Sequence, residues 1–170
     1  KSDLKRTKGF VHRTFNAQDL NQFFSSLQNI YLKHGGLESA LSQTKNVAEN
    51  ISQFKELFFL KAESLRTLKH VSDPLKGSSA KRINMYLRWM VRSDNRGVDF
   101  GIWNQLSPAD LKLPLDVHTG NVSRKLELLQ RKQNDWKAVE EISNRLSEFD
   151  AIDPIKYDFA LFGLGAIEGF

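Results

Sequence analysis

The chain has 170 residues and a formal net charge of +5, and 40% of its residues are hydrophobic, which is enough to bury a core and excludes wholesale disorder. It contains no Cys, so disulfides, Cys-ligated zinc, iron–sulfur clusters and thiol nucleophiles are excluded, and a reducing, cytoplasmic location is expected. No apolar run is long enough to span a membrane, so no membrane partner is expected.

Apolar residues recur at helical spacings along the whole chain. A first helix is predicted between an N-cap at Asn16 and the stop signal Gly35–Gly36, and a second from the N-cap Asn46 to Leu68. Further helices are predicted over 81–92, at 107–110, over 116–129, from about 134 to 146, and from Asp153 onward. No segment alternates convincingly with period two, so the fold class is all-α, with about seven helices.

The helical pattern is interrupted between His70 and Ser79. We therefore predict one all-helical domain over 1–170, with an N-terminal helical part, 1–72, followed by a second part, 73–170. The last helix of the second part is apolar almost all round, which is typical of a helix in the centre of a bundle.

Basic residues are concentrated at the start and in the middle of the chain. Residues 1–13 have five Lys or Arg against one Asp, and residues 76–96 have six against Asp94, whereas residues 134–170 have three against eight acidic residues. A polyanion would therefore meet the middle of the chain, although a solvated basic surface would show the same pattern.

The helix over 81–92 can present basic and apolar side chains on different faces. Lys81, Arg88 and Arg92 are spaced i, i+7, i+11, which keeps them on one side of a helix. The preceding segment, 75–80, supplies a glycine, two serines and free backbone N–H groups at the helix N-terminus, which favours an anion. An ordinary Ser-capped amphipathic helix would have the same sequence pattern.

Two segments resemble motifs of the helix-hairpin-helix DNA glycosylases. Residues 75–82 are similar to their Leu-Pro-Gly-Val-Gly-x-Lys-Thr hairpin, with Lys76 in place of the proline and Ser79 in place of the second glycine, and the match puts Lys81 on their catalytic lysine. Residues 114–118 resemble their Pro-Val-Asp-x-His segment and put Asp116 on their catalytic aspartate. Residues 122–128 and 157–163 resemble later segments of the same proteins.

Nearly the whole chain resembles an uncharacterised bacterial family that is distantly related to these glycosylases, with spacing similar to that of the archaeal 8-oxoguanine (GO) glycosylases. The strings that carry the resemblance are KRINMYLRWMVR (81–92), VDFGIWNQLSP (98–108), LPLDVHTGNVSRKLELL (113–129) and PIKYDFALFGLG (154–165). The resemblance implies a two-lobed helical bundle. The chain begins at Lys1 rather than Met, and we expect the leading helices of the family to be missing from it.

The implied activity is excision of a damaged base from double-stranded DNA, with or without cleavage of the strand, in the cytoplasm and at the nucleoid if the source is bacterial. Lys81 would attack C1′ of the sugar, and Asp116 would take its proton or stabilise the oxocarbenium-like sugar. The residues implied to contact DNA are Lys76, Gly77, Ser78, Ser79, Arg82, Arg88, Arg92, His118 and Arg124. No cofactor is implied, and His118 has no partner histidine at ligand spacing, so no metal is expected.

A flipped base needs an aromatic or apolar wall, for which Trp89, Phe100 and Trp103 are candidates, although aromatics at helical spacing are more often core residues. Each catalytic candidate also has a structural interpretation: Asp116 as an N-cap and Lys81 as a surface lysine or phosphate contact. Two other functions therefore stay open, namely a non-catalytic DNA-binding relative and a helical module that binds an acidic protein. The damaged base and the oligomeric state are not determined by the sequence.

Overall fold

The computed structural model describes residues 7–170, which are mostly helical, so the predicted all-α class is confirmed. Residues 1–6 of the basic N-terminal segment lie outside the described residues. The α-helices are α1 (Ala17–Lys33), α2 (Leu37–Leu41), α3 (Val47–Phe58), α4 (Lys81–Val91), α5 (Val117–Lys125), α6 (Trp136–Phe149) and α7 (Asp158–Ala166). Short 3₁₀ helices span Leu65–His70, Pro74–Lys76, Pro108–Asp110 and Pro154–Tyr157.

A small antiparallel hairpin, β1 (Val11–His12) and β2 (Phe15–Asn16), precedes α1 and was not predicted, because two-residue strands are too short to show alternation. The predicted cap of α1 is confirmed. Asn16 accepts a hydrogen bond from the Asp19 backbone, and the Asp19 carboxylate accepts one from the Asn16 backbone.

The carboxylate of Asp19 also joins α1 to a distant part of the chain. It accepts hydrogen bonds from Arg66 and Thr67 of the 3₁₀ helix and is fully buried. Burial raises the pKa of Asp19, but these bonds and the Asn16 backbone N–H outweigh burial and hold its pKa far below the ordinary value.

The prediction of one helix from Asn46 to Leu68 is wrong, because α3 ends at Phe58. Ser26 of α1 donates a hydrogen bond to the Phe58 carbonyl and so occupies an acceptor at the helix C-terminus. Phe58 and Phe59 are both buried, and the chain turns there before it enters the 3₁₀ helix. The end of α3 therefore coincides with contacts to α1 and to the core, and the spacing of apolar residues in the sequence does not reveal such contacts.

One cluster of buried apolar side chains extends from Ile30 of α1 to Leu161 of α7. The extended segment 113–115 passes through it, with Leu113 and Leu115 almost fully buried, as the Pro114 pattern predicted. The Leu113 backbone N–H donates to the Ser143 hydroxyl of α6, so a buried donor that has no helical partner is satisfied.

The expectation that the last helix is central is wrong. Of the residues of α7, only Asp158 and Leu161 are buried, while Phe159 and Phe162 are 44% and 39% exposed. The helix lies against α5, where a methyl group on Gly165 would come within 2.8 Å of Val122 Cγ2. A short helix that packs mainly by one side leaves its other apolar side chains at the surface. No helix within residues 7–170 is both long and apolar enough to cross a membrane.

Candidate active site

Lys81 is the first residue of α4, and the preceding backbone sets its position. The 3₁₀ helix Pro74–Lys76 ends at Gly77, whose φ of 87° is left-handed. Ala80 is buried and also left-handed, with φ 46°, a conformation that costs a non-glycine residue about 1–2 kcal/mol. The chain therefore makes two unusual turns immediately before the lysine, and no side chain caps α4.

Asp116 is the N-cap of α5 and reaches Lys81 at the same time. One carboxylate oxygen accepts a hydrogen bond from the Thr119 backbone N–H at 2.9 Å. The other accepts one from Lys81 Nζ, also at 2.9 Å, although the two residues are 35 positions apart. The cap and the ion pair use different oxygens, so the structural and the functional interpretation of Asp116 are compatible.

The environment keeps Asp116 ionised. Burial is the largest influence on its pKa and raises it, but the hydrogen bond from Lys81, the one from the Thr119 backbone and the charge of Lys81 together lower it below the ordinary 3.8. The Asp116 side chain is 13% exposed and that of Lys81 is 42% exposed. The pair consequently lies at the edge of the protein, where the lysine amine is accessible from solvent.

A cavity of about 170 Å³ opens beside this pair. Its walls are largely apolar and come from Met85 of α4, Pro114, and Phe159 and Phe162 of α7. Its volume is below the about 300 Å³ at which drug-sized ligand sites begin, so it suits one small group. The arrangement brings a primary amine, a carboxylate acceptor and an apolar wall together at one opening.

Arg88 and Asp158 form the polar part of the cavity wall. The Arg88 guanidinium is bonded to Asp158 at 2.5 Å and to Asp99 at 3.1 Å, and it lies 4.0 Å from the centre of the Phe159 ring. Burial raises the pKa of Asp158, and the charge of Arg88 only partly offsets this. Arg88 thus fixes α7 and its aromatic side chains against α4.

Two of the residues predicted to contact phosphates are instead engaged in ion pairs. Arg88 is only 1% exposed, so its charge is not available to a phosphate at the surface. Arg92, with a side chain 13% exposed, is bonded to Asp94, Asp99 and Asp153. The helical spacing was correct, but it could not reveal carboxylates that arrive from other parts of the chain.

Five of the remaining predicted DNA contacts belong to the segment 76–82, around the start of α4. Lys76 and Gly77 are exposed, Arg82 is exposed, and Ser78 and Ser79 are partly buried. Ser78 accepts a hydrogen bond from the Ala80 backbone, and the Ser79 carbonyl accepts one from Asn84. The two serines therefore support the turn that precedes Lys81.

His118 and Arg124 of α5 also have structural contacts. The His118 ring is exposed, lies 3.3 Å from the Gly165 carbonyl and packs edge-on against Phe162. Arg124 donates to the Arg131 carbonyl and to the side chain of Asn134, which joins α5 to the segment before α6. No group of three or more His, Asp or Glu within residues 7–170 could hold a metal ion.

The predicted aromatic wall of Trp89, Phe100 and Trp103 is wrong for this cavity, because none of the three lines it. Trp103 packs edge-on against Tyr86 instead, and Phe100 is held by a backbone hydrogen bond to the Trp89 carbonyl. The wall is formed by residues that sequence reasoning missed, above all Phe159 and Phe162. The sequence signal for these two residues is the largely apolar composition of α7, which by itself is equally typical of a central helix.

The fold and the site define a helical protein with a lysine–aspartate pair at the opening of an apolar cavity. A family model described as "Protein of unknown function (DUF2400)" matches residues 1–167, so the chain belongs to this family. No curated protein matches the chain, and no solved structure matches it. Membership of the family assigns no activity.

Proposed function

We propose that this protein is a DNA glycosylase with lyase chemistry, of the two-lobed helix-hairpin-helix type, in which Lys81 attacks C1′ of a damaged nucleotide and Asp116 accepts its proton. The observation that carries the proposal is the 2.9 Å contact between Lys81 Nζ and Asp116 at the opening of an apolar cavity. A nucleophile within hydrogen-bond reach of its base is the arrangement that amine attack requires.

The reaction balances with these two groups. Lys81 gives one proton to Asp116, and the freed lone pair forms the Nζ–C1′ bond while the C1′–base bond breaks with its electron pair on the base. The proton held by Asp116 ends on the departing base. A second proton passes from the nitrogen to O4′ as the C1′–O4′ bond opens, which leaves an imine cation between Nζ and C1′.

The cavity supplies what a flipped base needs. The rings of Phe159 and Phe162, with Met85, offer an apolar surface to the base, and Asp158 offers a polar group at the same wall. Once its proton has passed to the departing base, Asp116 is a carboxylate again, and its negative charge favours the cation that remains on the sugar.

Double-stranded DNA is the proposed partner, since the site lies in the basic middle of the chain and Lys76 and Arg82 beside it are exposed. A phosphate-binding role alone is less well supported, because Arg88 and Arg92, two of the three residues on which it depends, are already neutralised by carboxylates. A repair role would place the protein with the chromosome.

The test is borohydride trapping on duplexes that carry oxidised, alkylated or deaminated bases or an abasic site. Hydride reduces the imine to a stable amine, so the expected result is a covalent protein–DNA adduct that mass spectrometry locates at Lys81. Lys81→Gln should abolish it, whereas the control Lys137→Gln, an exposed lysine of α6, should not. Absence of any Lys81-dependent adduct across the panel would contradict the proposal.

A further inference from the structure

A second cavity, of about 550 Å³, lies between the β1–β2 hairpin, α1 and the first turn of α4. Arg13 and Arg82 contribute basic groups to its wall, and Phe15 and Phe23 contribute aromatic rings. Its volume is within the range of sites that hold a small ligand or one unit of a polymer.

The two arginines of this cavity are not neutralised by the protein. Neither has a carboxylate partner within the part of the chain that the structure describes, 7–170. Asp19 lies behind His70 at this wall, but it is fully buried and already bonded to Arg66. Two positive charges that face one cavity repel each other, and an anion between them would remove that repulsion.

The left-handed backbone conformation of Arg13 favours a functional role for its side chain. Arg13 begins the two-residue turn between His12 and Phe15 and has a φ of 56°, in the left-handed region. Glycine is favoured there, and arginine costs about 1–2 kcal/mol by comparison. Turn geometry therefore gives no reason for an arginine at this position, whereas an anion in the cavity does.

The cavity also adjoins the candidate active site through the first turn of α4. Lys81 and Arg82 are consecutive residues, and consecutive side chains of a helix point about 100° apart. Lys81 lines the small apolar cavity and Arg82 lines the basic one, so the two sites lie on neighbouring faces of the same turn.

We infer that the basic cavity binds a phosphodiester group of a nucleic-acid strand between the guanidinium groups of Arg13 and Arg82, with Phe15 and Phe23 in contact with the attached nucleoside. The planar forks of arginine match phosphate oxygens in geometry. The inference rests on the proposed function for the identity of the strand as DNA. It extends that function by assigning a contact to the N-terminal part of the chain.

The experiment measures fluorescence anisotropy of a short labelled duplex that contains a tetrahydrofuran abasic-site analogue, which cannot form an imine. Arg13→Gly and Arg82→Gln should each weaken binding about fivefold to tenfold and lower the salt dependence by about one phosphate contact. Arg145→Gln removes the same charge from α6, where Arg145 is paired with Glu148, and should leave both quantities nearly unchanged.

Arg13→Gly suits the left-handed turn, so its fold should be retained, which circular dichroism checks. An unchanged affinity and salt dependence in this variant would overturn the inference. A second probe, deoxyadenosine monophosphate, identifies the source of the phosphate. If Arg13→Gly loses the mononucleotide but binds the duplex normally, the cavity takes a free phosphate ester and the strand assignment is overturned.

Failure of the proposed function can be told apart from failure of this inference, because the analogue does not react. Duplex binding that depends on Arg13 and Arg82, with no trapped adduct, would overturn the chemistry and support the contact. A trapped Lys81 adduct, together with undiminished duplex binding in Arg13→Gly, would support the proposed chemistry and overturn the phosphate contact.

Discussion

Asp116 combines two functions through its two oxygens. One oxygen caps α5 and the other accepts the hydrogen bond of Lys81. The cap restricts the carboxylate to one orientation, so the amine meets an acceptor that is already in position. A residue that ends a loop and begins a helix can in this way be both structural and chemically active.

Substitution at Asp116 should separate these two functions. Asn is as good an N-cap as Asp, so Asp116→Asn should keep the cap and lose only the ion pair, which is worth about 0.2–1 kcal/mol of unfolding free energy. It should slow adduct formation by about 10²–10⁴-fold, because the proton acceptor is lost. Asp116→Ala should lose the cap as well, at about 1 kcal/mol. Urea unfolding and single-turnover trapping measure the two effects, and equal trapping rates in wild type and Asp116→Asn would exclude Asp116 as the acceptor.

The ion pair should also make stability depend on pH. The pKa of Asp116 is lower in the folded state than its ordinary 3.8, so the unfolded chain binds this proton first as pH falls. The stabilisation by the pair is therefore complete above 3.8 and is lost as pH falls through the folded-state pKa. The difference in unfolding free energy between wild type and Asp116→Asn should shrink over that interval, and a constant difference would contradict the assignment.

At the scale of elements, α4 organises the site through both of its ends. Its first residue supplies the amine, and Arg88, near its other end, is bonded to Asp158 of α7 and to Asp99 of the connection that follows α4. The aromatic wall is thus held by an ion pair that lines the same cavity as Lys81 and Asp116.

Removal of this ion pair should be costly. Arg88→Met removes the ion-pair partner that the described residues give to the buried Asp158 and leaves Asp99 with Arg92 alone. We expect it to lower the free energy of unfolding by about 3–5 kcal/mol. The matched substitution Arg96→Met changes an exposed arginine of the following connection and should change stability by no more than about 0.5 kcal/mol. Denaturant unfolding of both variants checks this, and equal effects would contradict a structural role for Arg88.

The packing of α7 on α5 offers a test with two glycines of the same helix. Gly165→Ala places a methyl group 2.8 Å from Val122 Cγ2 and should destabilise the fold by about 1–3 kcal/mol and disturb the cavity wall, so that trapping slows. Gly163→Ala meets no atom within 4 Å and should stabilise the helix by about 0.5–1 kcal/mol. If both variants behaved alike in thermal unfolding and trapping, close packing at Gly165 would not control the wall.

At the scale of the whole molecule, the two parts predicted at residues 1–72 and 73–170 are joined by polar contacts as well as by the apolar cluster. Ser52 donates to Asp73, Lys45 pairs with Asp110, and Glu38 accepts hydrogen bonds from the backbone of Asn104 and Gln105. These contacts, with the shared cluster, favour unfolding as one unit.

Two spectroscopic probes can test whether the two parts unfold together. All three Trp residues lie in 73–170, so their fluorescence reports only the second part, whereas far-ultraviolet circular dichroism reports the helices of both. We expect the two urea transitions to coincide, with the same midpoint and slope. A circular-dichroism transition that precedes or follows the fluorescence transition would show that the N-terminal part unfolds independently.

The sequence by itself determined the helical class, the caps of α1 and α5 and the choice of Lys81 and Asp116 as a pair, because these depend on local spacing, on capping chemistry and on a motif resemblance. Only the tertiary structure decided where α3 ends, that Arg88 is buried and that Phe159 and Phe162 form the cavity wall. Each of these outcomes depends on a group supplied by another part of the chain. The Ser26 hydroxyl donates to the carbonyl at the end of α3, and two carboxylates neutralise Arg88. Helix α5 covers one side of α7 and leaves its two phenylalanines free to line the cavity. Hydrophobic periodicity records which side of a helix can be buried, but not which partner arrives to bury it.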